Sequence, residues 1–278
     1  MDATSPTFDS AAMASHRWAD LTSSTFARFD PARAVAVLPL GATEQHGPHL
    51  PLSVDTVLVN GVVNAALTHL SEQDPVWVLP TQSLGLSTEH TAFAGTLTLS
   101  PQTVIQLWCD IGASVARAGV KKLLLFNAHG GNVGLMDVVA RELRGQHGLL
   151  VYSSSWYNLP LDAAAMQSFS ADEQRFGVHA GDMETSMMLA LAPETVNMAL
   201  AQNFDSTSRT RAAQCPVLGN GKSAKLGWHM QDYNPQGAAG NAAAATAAKG
   251  QALVTSAGEQ LAQLLQEFMA LPLSTVDA

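Results

Sequence analysis

Short, unbroken apolar runs alternate along this chain with longer segments whose apolar residues recur every three or four positions. "AVAVLPLG" (34–41), "VWVLP" (76–80), "KKLLLFN" (121–127) and "LLVYSSS" (149–155) are rich in Val and Leu and predict buried strands. Between them, "DTVLVNGVVNAALTHL" (55–70) has helical spacing. Residues 101–118 open with "SPQTV", a serine N-cap followed by proline at the first helical position, and 133–144 form a third helical stretch after "GGN". A further helix is predicted from about 181 to 192, "GDMETSMMLALA". Strands that are apolar throughout and alternate with helices predict an α/β fold with a mostly parallel sheet covered on both faces. Beyond residue 193 the pattern loosens. Residues 200–235 read as an irregular excursion over one face, and the alanine-rich stretch 240–270 as one long closing helix. With no repeat and no linker, residues 16–278 read as a single domain and 1–15 as a mobile leader.

Composition narrows the class. Hydrophobic residues make up 47% of the chain and charged residues only 13%, so much of its surface must be covered by itself or by other subunits, which favours a homo-oligomer. A formal charge of −9 argues against a nucleic-acid partner, because phosphate binding needs a basic face. Cys109 and Cys215 are too few for a disulfide scaffold and fit a reducing compartment. No apolar run approaches the ~20 residues of a membrane span, and the acidic, polar start of the chain lacks the features of a secretory signal. A cytoplasmic protein without a membrane partner is expected.

Ligands of parallel α/β sheets bind beyond the carboxyl ends of the strands, and there the four runs deliver "GATEQHGPH", "QSLGLSTEHTAFAG", "NAHGGN" and "SSSWYN". Glu44 and His46, two apart in an extended segment, project to the same side, although an isolated pair of this kind is more often a polar surface loop. Asp55 opens a helix and alone would be its cap, yet "PHLPLSVD" is long enough to fold back towards Glu44. His129 follows a central strand, next to glycines that leave room for a ligand and between Asn127 and Asn132, which can orient the loop. Glu184 sits in a largely apolar helix, where a carboxylate is costly unless paired or bound to a cation. Together Glu44, His46, Asp55, His129 and Glu184 offer three carboxylates and two imidazoles, a set suited to Zn²⁺, Mn²⁺ or Fe²⁺ and too rich in nitrogen for Ca²⁺ or Mg²⁺. Five ligands exceed the needs of one open catalytic ion and match two ions about 3.5–4 Å apart. The chain lacks the nucleophile elbow, the phosphate-binding loop and the dinucleotide fingerprint of other enzyme classes.

"LPLGATEQHGPHLPLSVDT", "GLSTEHTAFAGTLTLSP", "LLLFNAHGGNVG" and "HAGDMETSMMLALAP", in that order between about residues 15 and 265, resemble the motifs of the creatininase family of metal-dependent amidohydrolases. The resemblance implies a three-layer α/β/α sandwich, a homohexamer, and metal-binding roles for Glu44, His46, Asp55 and His129, with Asp55 the bridge. It also places His179, of the "HAG" motif, in the substrate pocket with a role in proton transfer. One departure stands out. Creatinine-hydrolysing members read roughly N-G-H-Y-E-N where this chain has "NAHGGN", so Gly130 and Gly131 replace a substrate-contacting tyrosine and a metal-binding glutamate. The second site must then borrow a ligand, for which Glu184 is the candidate, or hold its ion weakly, or be empty. Branches with the glycine-rich version include a deformylase acting on a formamidopyrimidine nucleotide and a mycofactocin-type peptide-trimming peptidase.

The expected function is hydrolysis of a C–N bond in a small, including cyclic, amide by a hydroxide activated on one or two divalent ions, since a bound metal lowers the pKa of water from about 15.7 towards 7. His179 would protonate the leaving nitrogen, with Glu184 as the alternative proton shuttle. Ser87, His90 and Trp156 are expected to line the substrate pocket, and His49, His69, His147 and His229 to be structural or exposed. The formamide deformylase and the peptidase are the alternatives within the family. A non-catalytic metal-binding scaffold is the alternative from another class.

Overall fold

Strands β1 (Val35–Leu40), β2 (Val76–Val78), β3 (Lys122–Asn127) and β4 (Leu150–Ser155) form one sheet in the spatial order β2–β1–β3–β4, every neighbouring pair parallel. The computed structural model describes residues 15–276, so all of the expected leader except Ser15 lies outside the described residues. Three helices make the crossovers: α1 (Val54–Leu67), α2 (Pro101–Arg117) and α3 (Val133–His147). After β4 come α4 (Ala163–Gln167), α5 (Ala171–Phe176) and α6 (Asp182–Leu191). A small antiparallel pair, β5 (Asn203–Phe204) and β6 (Gly240–Asn241), brackets α7 (Thr207–Gln214), and α8 (Ala247–Ala270) closes the chain.

The pleat divides the core in two. Val35, Val37, Leu124 and Phe126 pack with Leu58 and Val62 of α1, Met187 of α6 and Leu261 of α8. Ala36, Leu38, Leu123 and Leu125 face the other way, onto Trp108 and Val115 of α2 and Met136 and Leu143 of α3. The result is a three-layer α/β/α sandwich whose sheet is apolar on both sides. Trp77 of β2 is fully buried and sealed by Phe29, Phe26 and Trp18, with ring centroids at 5.1, 5.4 and 6.1 Å. Among the described residues no helix is long and apolar enough to cross a membrane.

Ser100 caps α2 as its motif predicts, accepting a bond from the Thr103 N–H at 3.2 Å. The closing helix begins later than alanine content alone suggests. Gly240 and Asn241 are held extended by pairing with Phe204 and Asn203, residues 242–244 make a single 3₁₀ turn, and Thr246 caps α8. Propensity differences of a few tenths of a kcal/mol per residue yield to a pairing and a cap. β4 also departs from the uniform burial expected of it: as the sheet's edge strand it leaves Tyr152 and Ser153 exposed. The register places Leu40, Asn127 and Ser155 side by side at the carboxyl rim, and the polar segments leave from there.

Candidate metal centre

After Leu40 the chain makes a loop that leaves and returns. Gly41 lies so close to α1 that a Cβ there would sit 2.8 Å from Thr56 Oγ1 and 2.9 Å from the Thr56 backbone, so glycine is required for this approach. Glu44 N–H donates to Leu52 C=O at 3.0 Å and Thr56 Oγ1 to Ala42 C=O at 3.1 Å. These bonds bring Asp55, in the first turn of α1, beside Glu44 and His46. His46 Nδ1–H donates to Glu44 C=O at 3.0 Å, which turns Nε2 inward to within 3.7 Å of Asp55 Oδ1.

His129 enters from the end of β3. Its Nε2–H donates to Leu86 C=O at 2.7 Å, which leaves Nδ1 facing Glu44 Oε1 at 3.2 Å and Asp55 Oδ2 at 3.6 Å. Two buried asparagines hold the loop. Asn127 accepts from His129 N–H and donates to His129 C=O, while Asn132 joins Asn127 Oδ1, Gly41 C=O and Leu86 N–H. His90 places Nε2 3.2 Å from Glu44 Oε1, its Nδ1 accepting from Gln45 Nε2 at 2.7 Å. His179 donates Nε2–H to Gln45 C=O at 2.8 Å, and its ring lies against those of His46 and His90, with centroids at 4.1 and 4.4 Å. Glu184, in the first turn of α6, accepts from Ala180 N–H at 2.6 Å through Oε2.

Donor atoms from these side chains converge in three overlapping sets, each within 4.8 Å: Glu44, Asp55 and His129; His46, His179 and Glu184; Glu44, His90 and His179. Asp55 turns one oxygen to His129 and the other to His46. Burial opposes every charge here, and the opposing partners outweigh it at some groups and not at others. Burial raises Glu44, yet His129 and His90 outweigh it and hold the group below the ordinary carboxylate range. Burial lowers His46 and His129, but Asp55 raises the first to about 9 and Glu44 the second to about 10. Burial dominates at Glu184, raised to about 7, at His90, lowered to about 4, and at His179, also lowered.

Four buried atoms in this cluster have no hydrogen-bond partner: Glu44 Oε1, Glu44 Oε2, His46 Nε2 and Asp55 Oδ2. An orphaned buried polar group costs about 1–3 kcal/mol, more when charged. Carboxylate and imidazole donors left open towards one volume fit a divalent cation of the zinc or manganese kind.

Beside the cluster opens a cleft of about 410 Å³, with Asp55, His90, His129, His179 and Glu184 among its lining. Glu89, Trp156, Tyr157, Met166, Val178 and Trp228 also line it, and no lysine or arginine does so among the described residues. Trp228 meets His90 edge-on at 6.1 Å and Tyr233 at 5.0 Å. Of the residues expected to line a pocket, Trp156 and His90 do so, His90 also standing against Glu44, while Ser87 lies buried behind His129, 3.4 Å from Nε2. His49 is buried, bonded to Thr185 Oγ1 at 2.9 Å and stacked on Phe204. Gln45, Glu89, Tyr157 and Trp228 are additions the sequence alone did not single out. Glu89 is the neighbour of His90 in "STEH", whereas Trp228 comes from a stretch without periodicity.

A family sequence profile described as "Creatininase: Creatinine amidohydrolase" matches residues 19–265. The chain belongs to the creatininase family. Among its relatives, the mycofactocin precursor peptide peptidase of Mycobacterium ulcerans (strain Agy99) is 34% identical over 64% of this chain, and the match spans 66% of that protein. The creatinine amidohydrolase of Pseudomonas putida is 32% identical over 62% of this chain and 70% of its own. A solved structure described as "Creatininase Mn" superposes with a TM-score of 0.73 at 26% identity, covering 91% of this chain and 98% of the other. As a creatininase-family member with these donor clusters, the protein is a hydrolase. Of the two glycines that set it apart from the N-G-H-Y-E-N pattern, Gly131 has a local reason, since a Cβ there would collide with Leu86 C=O, His129 Nε2 and Glu89 Oε1, whereas a Cβ on Gly130 would meet open space.

Proposed function

We propose that this creatininase-family chain is a metal-dependent amidohydrolase that trims peptides at an amide bond. The observation that carries the metal-dependent reading is the convergence of Glu44, His46, Asp55 and His129 with buried atoms left open towards one another. Glu44, Asp55 and His129 would hold one ion and His46 with Glu184 a second, Asp55 facing both imidazoles, with zinc, manganese or iron as the metal. Bound there, a divalent ion supplies an acidified water and polarises the carbonyl it meets. The chain's own groups do the rest. His129 is fixed by Leu86 C=O and His46 by Glu44 C=O, so neither ring can turn away. His179 is neutral at rest, with Nε2–H committed to Gln45 C=O, so Nδ1 is the atom that would transiently take up a proton and pass it to the leaving nitrogen. Glu184, with Oε2 pinned by Ala180 N–H, is the alternative carrier when a single ion is bound. Trp156, Met166 and Trp228 supply apolar lining to the cleft.

Three observations favour a peptide. The relative from Mycobacterium ulcerans is named as a peptide peptidase. A cleft of about 410 Å³ falls within the ~300–1,000 Å³ of drug-sized ligand sites and exceeds the needs of a small ring. The absence of a basic side chain from the described lining disfavours a phosphorylated formamidopyrimidine. A small cyclic amide is the second reading, supported by the Pseudomonas putida relative. Exposed Tyr152, Leu200, Leu218 and Leu226 support a homo-oligomer as the working form. The test is to incubate zinc- or manganese-loaded protein with short peptides, cyclic amides and formamides and to follow products by mass spectrometry. Peptide-bond cleavage abolished in His129→Ala is the expected result. No amide cleavage by metal-loaded protein refutes the activity, and cleavage of cyclic amides alone replaces the peptide reading with the second.

A further inference from the structure

One buried carboxylate near the cleft has no part in the chemistry above. Glu173, in α5, is 4% exposed. Its Oε1 accepts from Asp182 N–H at 2.7 Å and its Oε2 from Asn241 N–H at 2.8 Å. The backbone crowds around it: a Cβ on Gly177 or Gly181 would collide with this carboxylate, and one on Gly240 would lie 2.9 Å from both of its oxygens. Three glycines thus make room for a single side chain.

What this carboxylate grips is the segment carrying His179 and Glu184. On one side it holds the start of α6, where Gly181 occupies the N-cap position and offers no side-chain cap. With no side chain at the N-cap, the free N–H of Asp182 at the head of the helix is met from α5, and a negative charge suits that end of the helix. On the other side it holds β6, next to Ala239, whose N–H and C=O exchange bonds with His179 at 2.8 and 3.3 Å. Between these two anchors Ala180 adopts the left-handed region, with φ at 53°, unfavourable for a residue with a Cβ. That turn aims Ala180 N–H at Glu184 Oε2. Asp182 cannot stand in for Glu173, because its own carboxylate is committed to Lys249 Nζ at 2.7 Å and Ser186 Oγ at 3.0 Å.

We propose that Glu173 is a positioning residue, a remote cap that sets how His179 and Glu184 present themselves to the metal centre. The proposal rests on the metal-dependent reading for its consequence and on the hydrogen bonds above for its geometry. Glu173→Gln keeps one acceptor and turns an NH₂ against the other backbone N–H. Its expected effects are faster amide exchange across 178–184 in metal-free protein, and about 10–100-fold weaker binding of the second of two zinc ions while the first is retained, as for other outer partners of metal ligands. The turnover number falls with little change in KM. Gly181→Ala, whose methyl displaces the same carboxylate, must give the same pattern. Ser100→Ala, which removes the cap of α2 in the opposite layer, controls for general destabilisation by lowering the melting temperature without touching zinc affinity. Wild-type exchange protection at 178–184 in Glu173→Gln overturns the proposal whatever the metal content. So does a parallel loss of both ions. Wild-type protein that binds no zinc refutes the metal-dependent reading instead, and the exchange measurement still decides the role of Glu173.

Discussion

Replacing Asn132 by alanine removes the side chain that fastens three site segments to one another. Asn132 is fully buried, and its amide joins Gly41 C=O after β1 at 3.1 Å, Leu86 N–H at 3.1 Å and Asn127 Oδ1 at 3.2 Å. Asn127 Oδ1 keeps the His129 N–H as partner, so truncation orphans two groups, Gly41 C=O and Leu86 N–H. At about 1–3 kcal/mol for each buried unsatisfied group, the loss is about 2–6 kcal/mol. At roughly 2–4 °C per kcal/mol for a chain of this size, the melting temperature should fall by about 5–20 °C. Differential scanning calorimetry or urea unfolding with an unchanged m-value measures this directly. Asn132→Asp sharpens the test: it keeps the acceptor for Leu86 N–H but turns carboxylate oxygen against Gly41 C=O and Asn127 Oδ1. Burial among acceptors raises the new carboxyl's folded-state pKa, so its stability deficit is largest at neutral pH and shrinks as pH falls. A shift of less than about 2 °C in Asn132→Ala, below the smallest loss allowed by two orphaned groups, refutes the reasoning.

Metal uptake should depend on pH with a definite sign. In metal-free protein His46 and His129 stay protonated up to about 9 and 10, so each ion must displace a proton, and its affinity should rise about tenfold per pH unit between roughly pH 7 and 8.5. A chromophoric chelator in competition reads that slope, and a flat profile rules it out. The same raised pKa values stabilise metal-free protein fully below the ordinary histidine value near 6.5, a contribution lost as pH rises through 9 and 10. Gly131→Ala should lower both thermal stability and metal content, because its methyl meets Leu86 C=O, a backbone atom that cannot swing aside; normal zinc content in the variant contradicts this. Trp228→Ala should raise KM several-fold and leave metal content unchanged, since the indole borders the cleft and touches His90 only edge-on; steady-state kinetics beside metal analysis decides.

The layers of the fold were legible because they follow from burial. Runs such as "KKLLLFN" have one stable placement, between two apolar layers, and the helices between them show their 3.6-residue period. Convergence of Glu44, His46, Asp55 and His129 was readable for the same reason: a parallel sheet sends every strand end to one rim. What escaped the sequence is set by contacts between distant segments. α4 and α5 are too short to display a period, so nothing in the sequence distinguishes Glu173, and only its burial against Gly177, Gly181 and Gly240 marks it. Trp228 reaches the cleft through an aperiodic excursion whose path depends on packing against His90 and Tyr233. His90 falls inside the cluster because the 3₁₀ turn of "STEH" brings its Nε2 to within 3.2 Å of Glu44 Oε1, a matter of tertiary path rather than residue type.

Crystals grown with zinc and measured above and below its absorption edge would locate the ions by anomalous scattering. Two peaks are expected, one among Glu44, Asp55 and His129 and the other against His46 and Glu184. Zinc absent from this cluster, or bound only elsewhere on the surface, would contradict a hydrolase built on these residues.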